Sequence, residues 1–208
     1  MAISKLPFLS GISGKVGPIV AYMMNNKQYI RSLPNPRDPK TPAQLAQRAK
    51  FSLVNKRLSP FKQLIKQNYG NDSSAYRKLV GKTIRECVVG EYPDLAIDFS
   101  RVLLAEGQVS LPADVTATYQ ADAMQVTLHW DPLLPPRARW CQPDDLVNVI
   151  VSHISYRTLI RSHHIAKRAD GTATVDLYNT WNPSTIHCWI YFTSRNLDHY
   201  SNSLYVNM

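Results

Sequence analysis

A chain of 208 residues, 44% of them hydrophobic, can bury the core of one large domain or two small ones, which excludes global disorder. Its formal charge of +9 divides unevenly: residues 1–96 hold 16 Lys/Arg and 5 Asp/Glu, and residues 97–208 hold 8 and 10, an asymmetry that reports an anionic partner or a dipolar assembly surface. Apolar runs such as PIVAYMM fall far short of a membrane span, and MAISKLPFLSGISGK is broken at Pro7 before a signal peptide's apolar region could form, so a soluble, cytoplasmic protein with no membrane partner is expected.

Residues 17–34, GPIVAYMMNNKQYIRSLP, predict a β-hairpin. Two β-prone stretches flank Asn25-Asn26, a pair that tolerates the positive φ of a tight turn. The first strand is apolar on both faces, and a two-stranded hairpin is marginal alone, so it needs a surface to lie against. A ramp follows: Pro34, Pro36, Pro39 and Pro42 fix φ and remove amide donors, so the segment runs extended. Thr41, Pro42 and Gln44 then supply the cap, first turn and capping box of a helix.

That helix, from Pro42 to about Leu58, carries two apolar stripes at about 100° per residue. Leu45, Ala46, Ala49 and Leu53 form one, and Phe51, Val54 and Leu58 the other. A helix apolar on most sides is contacted from more than one direction, so one stripe is assigned to its own module and the other to the C-terminal domain or a neighbouring chain. Ser59-Pro60 restarts a helix that ends near Gly70. A third helix, capped by Asp72 or Ser73, presents Tyr76, Leu79, Val80, Ile84, Cys87 and Val88 on one face.

Near residue 96 the texture changes to short alternating strands: MQVTLHW, DLVNVIVS, SYRTLIRS, TATVDL, IHCWIYFTS and SLYVN. The expected architecture is α+β: a basic hairpin-plus-helical module over 1–96, and an immunoglobulin- or fibronectin-like β-sandwich over 97–208 with Trp130 and Trp189 in its aromatic core.

Motifs for chemistry are missing. GISGKVG has Leu9 and Val16 where a phosphate loop needs Gly and Ser/Thr. His163-His164 and His187-Cys188 are strand neighbours that project to opposite faces unless a bulge intervenes, so no metal site is expected. Cys87, Cys141 and Cys188 lack a CxxC spacing and are expected as buried reduced thiols. No G-x-S-x-G elbow occurs. No catalytic residue, cofactor or small-molecule substrate is expected, and the protein is read as no enzyme.

The contact surface is assigned instead to Lys15, Lys27, Arg31, Arg37, Lys40, Arg48, Lys50, Lys56 and Arg57, with Tyr22, Tyr29, Leu45, Phe51 and Val54 as partner-facing apolar groups. Cationic side chains that neutralise phosphates and release counterions bind nucleic acid without reading its sequence.

The stretches GKVGPIVAY, YIRSLP, KTPAQLAQRAKF, LSPFKQLI, YPDLAIDFSRVLLAEG and YSNSLYV resemble those of an uncharacterised bacterial family found mainly in Bacteroidota. NPRDPKTPAQLAQRAKF is also similar to segments of phage and prophage proteins of unknown role. The resemblance implies a two-part protein with an N-terminal hairpin-plus-helix segment and a fibronectin-like C-terminal domain, and it brings no activity. The expected function is a non-enzymatic structural or assembly protein, a homo-oligomer or part of a larger assembly, with a virion as its place if it derives from a phage. The alternative is a sequence-independent nucleic-acid-binding protein.

Overall fold

The computed structural model describes residues 2–3, 12–35, 38, 40–69, 74–134, 140–154 and 158–208. Pro36, Arg37, Pro39, Gly70, Asp72 and Ser73, to which the sequence assigned roles, lie outside the described residues. The chain divides into two compact units, residues 1–41 and 42–208.

In the first unit, β1 (Ala2–Ile3), β2 (Gly14–Val16), β3 (Ile19–Met24) and β4 (Lys27–Ser32) form an antiparallel sheet in the order β1-β4-β3-β2. The β3–β4 hairpin is the expected one. Its turn places Asn25 at φ 51° and Asn26 at φ 59°, the paired left-handed conformation that matches strand twist. The flanking strands, two and three residues long, were not foreseen, because so short a run shows no readable alternation. Between the sheet and the first helix, the described ramp residues 33–35, 38, 40 and 41 are exposed and carry neither helix nor strand.

The second unit opens with α1 (Pro42–Leu58), a 3-10 turn (Ser59–Phe61), α2 (Lys62–Asn68) and α3 (Ala75–Glu86). A two-stranded ribbon of β5 (Val88–Val89) and β6 (Ala96–Ile97) follows. Among the described residues, seven strands then build the sandwich. β7 (Thr116–Gln120), β8 (Gln125–His129) and β11 (Thr172–Asp176) form one sheet in the order β11-β8-β7. β9 (Leu146–His153), β10 (Leu159–Lys167), β12 (Ile186–Thr193) and β13 (Leu204–Val206) form the other in the order β10-β9-β12-β13. All pairings within both sheets are antiparallel, the arrangement of an immunoglobulin- or fibronectin-like sandwich.

Alternation along β9 and β12 explains why the two central strands of the four-stranded sheet are buried on both faces. Val147, Val149, Val151, Cys188, Ile190 and Phe192 meet Val126, Leu128 and Trp130 of the facing sheet in one core. The intervening Ile150, Trp189 and Tyr191 meet Val54, Leu58, Phe61, Leu64, Ile65, Leu79 and Val80 of the helices in a second core. Two expectations are corrected here. The first boundary falls between Thr41 and Pro42 and not at residue 96, because Val54, Leu58, Leu64, Ile65, Leu79 and Val80 of the helices share a core with the sandwich strands. Trp189 does not join Trp130 inside the sandwich: an odd step along β12 turns it to the helical side.

Candidate functional site

Strand register decides which side chains of the N-terminal sheet stand together. Lys15 pairs with Val20, Val20 with Arg31, Tyr22 with Tyr29, and Met24 with Lys27. Directly opposed residues share a face, so Lys15, Lys27 and Arg31 emerge on the same side as both tyrosines. The Tyr22 and Tyr29 rings stack at 5.7 Å with 18° between their planes, and the Arg31 guanidinium lies 5.9 Å from the Tyr22 centroid, at the edge of cation–π range. No carboxylate offsets these charges within the sheet, since the first acidic residue of the chain is Asp38. The other face carries Val16, Ile19, Ala21, Met23 and Ile30, with Val16 and Met23 about half exposed.

The remaining expected cations that are described stand on the ramp and on α1. Lys40 is an exposed ramp residue at φ 47°. Arg48, Lys50, Lys56 and Arg57 stand on α1 in the second unit, where Arg48 projects about 160° away from Lys50. Arg57 is already engaged, donating to the Ile154 carbonyl at 2.6 Å.

Of the expected partner-facing apolar groups, Phe51 is 56% exposed and Leu45 half-buried. Val54 is a correction: it is fully buried in the helix–sheet core, because the stripe it shares with Leu58 faces the sandwich and only Phe51 falls outside that contact.

A cleft that sequence reasoning set aside lies on the helical side of the four-stranded sheet. Ser162 pairs with Val149 and Ala166 with Val147, so three residues of β10, 163 to 165, stand opposite Asn148 alone. This is the bulge whose absence would have separated His163 from His164. Both histidines line an open cleft of about 340 Å³ with Gln67, Asn68, Tyr191 and Tyr200. Asn148, 1% exposed, pins the bulge: its Oδ1 accepts from the His164 backbone N–H at 3.2 Å and faces His163 Nδ1 at 3.3 Å, while its Nδ2 donates to Thr193 Oγ1 at 2.9 Å. Burial, helped by the charges of Arg161 and His164, holds the His163 imidazole below its usual pKa, and burial pushes the Tyr191 phenol up to about 12. The HH dipeptide was the only sequence signal; the bulge depends on Asn148, fifteen residues earlier.

The three thiols are buried, as expected. Burial pushes Cys188 up to about 12 and raises Cys87 and Cys141 as well, so each stays protonated and poorly nucleophilic near neutrality. Native protein at mildly alkaline pH is therefore expected to take up no iodoacetamide within the time in which the denaturant-unfolded chain is fully alkylated, as read by mass spectrometry. Rapid labelling of a native thiol would contradict the burial. No described helix is long and apolar enough to cross a membrane.

The profile of a family described as a family of unknown function, DUF6266, matches residues 11–207. No curated protein sequence matches the chain. Among solved structures, the solution structure of the fn3 domain of human contactin 1 is similar, with 10% identity and a TM-score of 0.27 over 57% of this chain and 92% of that domain.

Proposed function

The chain belongs to DUF6266, a family of unknown function, and we propose that it is a non-enzymatic structural protein whose N-terminal sheet engages an anionic partner while the helix-backed sandwich serves as a rigid module for protein contacts. The observation that carries this reading is the convergence of Lys15, Lys27 and Arg31 on one carboxylate-free face of a small sheet. Three like charges on strands that hold no carboxylate raise the local concentration of an anion and speed its arrival. The sandwich, with the central strands β9 and β12 locked between two apolar cores, supplies the rigidity a scaffold needs. The similarity of NPRDPKTPAQLAQRAKF to phage proteins fits a structural part of a particle, which is where a phage-derived homologue would work.

A nucleic acid as the partner is favoured by one further feature, the stacked Tyr22–Tyr29 pair beside those cations. Aromatic groups in a cationic setting add about 1–3 kcal/mol per stacked base without selecting sequence. The test is fluorescence anisotropy at low salt with a labelled oligothymidylate and, separately, labelled polyglutamate. Binding of at least one is expected, lost on combined Lys15→Glu, Lys27→Glu and Arg31→Glu reversal; preference for the oligonucleotide identifies the nucleic-acid form. If neither polymer binds, the anionic partner is refuted. Sedimentation over a range of concentrations tests the assembly role, where monomer throughout would remove self-association.

A further inference from the structure

We infer that the His163–His164 bulge is a binding site for one borderline divalent transition-metal ion, such as Zn(II) or Cu(II), held by the two imidazoles.

The donor set selects the ion. None of the described residues lining the cleft is a carboxylate, so among them the hard, oxygen-seeking Ca²⁺ and Mg²⁺ find no ligands. None is a lysine or arginine, so a phosphate or carboxylate finds no fixed counter-charge. What the cleft offers is neutral imidazole, the preferred ligand of zinc and copper.

His163 is oriented for this role. Asn148 Oδ1 can only accept, so the hydrogen bond at 3.3 Å places the proton on His163 Nδ1 and leaves the Nε2 lone pair open. Metal-ligating histidines are held in the same way, by an acceptor that fixes the tautomer through the other ring nitrogen. The same oxygen accepts from the His164 backbone N–H, so one buried amide positions both residues.

Distance permits a shared ion. Two imidazoles bonding one ion at about 2.0–2.1 Å place their centroids about 4.5–6.4 Å apart, according to the angle at the metal. The rings here are 6.2 Å apart, at the open end of that range, and both histidines are exposed. Among the described residues no group of three or more His, Cys, Asp or Glu could hold a metal, so water completes the coordination and positions stay open. His164 also sits at φ 54° and Leu197, across the cleft, at φ 62°. Such left-handed conformations cost energy for side-chain-bearing residues and cluster at ligand sites.

Calorimetry of the full chain with Zn(II), and electron paramagnetic resonance with Cu(II), test the site. One ion per chain is expected, with two-imidazole nitrogen coupling on copper. Affinity should fall by about 10-fold or more in His163→Ala and in His164→Gly, by loss of a direct ligand. Glycine suits the positive φ at 164, so that variant removes a ligand while relaxing the backbone, and its unfolding midpoint should not fall. A wild-type chain that binds neither ion, or affinity that survives both substitutions, would overturn the assignment.

Discussion

Truncating Trp189 to alanine is expected to cost about 3–5 kcal/mol and to melt the helices and the sandwich together. The indole is fully buried where the four-stranded sheet meets the helical layer. It packs edge-on against Phe61 at 5.7 Å, Tyr205 at 5.5 Å and Phe99 at 6.1 Å, so its loss leaves a cavity that rigid neighbours on both sides cannot close. Urea unfolding followed by helical circular dichroism and by aromatic fluorescence should give coincident curves in wild type and variant, displaced together. Two separated transitions would mean that residues 42–86 and the sandwich are independent domains. Trp189→Phe should cost far less, because the indole Nε1 has no hydrogen-bond partner to lose.

Removing one member of the Arg168–Asp145 pair is expected to cost about 3–5 kcal/mol, and removing both far less. Arg168 is fully buried and Asp145 is 1% exposed. Their contact is 3.2 Å, the guanidinium carbon lies 4.4 Å from the Phe192 centroid, and Nη2 donates to the Ser110 carbonyl at 2.7 Å. Asp145 Oδ2 also accepts from the Gln142 amide at 3.0 Å. Asp145→Asn strands a buried cation and Arg168→Met strands a buried carboxylate, whereas the double substitution strands neither. Chemical unfolding of the three variants reads the coupling directly. Additive losses would show that the two charges do not interact.

The longer helices and sandwich strands were legible because each is long enough to display its period. α3 keeps one apolar face through Leu79 and Val80, and β8 alternates Val126 and Leu128 inward. The third layer was readable in principle. IHCWIYFT is apolar on both faces, and a strand that a single sheet covers would alternate with polar residues. The division at residue 96 followed a change of local texture, whereas the compact units follow nonlocal packing of α1, α2 and α3 on β9 and β12.

The basic surface was visible as composition but not as a face. Only the register Lys15–Val20–Arg31 puts those cations together, and register depends on turn geometry that Asn25-Asn26 alone suggests. The histidine cleft was hidden for the converse reason. Period 2 sends neighbours apart, and only a bulge held by the distant Asn148 reverses the rule.

Helices and ramp contribute cations of their own, so the claim that one sheet face does the binding has a direct test in salt dependence. Association of the full chain with a labelled oligothymidylate should be measured over a range of salt concentrations. The comparison sets the Lys15→Gln, Lys27→Gln, Arg31→Gln triple variant beside a Lys50→Gln, Lys56→Gln, Arg57→Gln triple. Each phosphate contact contributes about −0.7 to the log–log slope on a single strand, so losing three flattens it by about 2. The account predicts that flattening in the sheet variant and a slope close to wild type in the helix variant. A sheet variant that keeps the wild-type slope, with the loss falling on the helix variant, would contradict it.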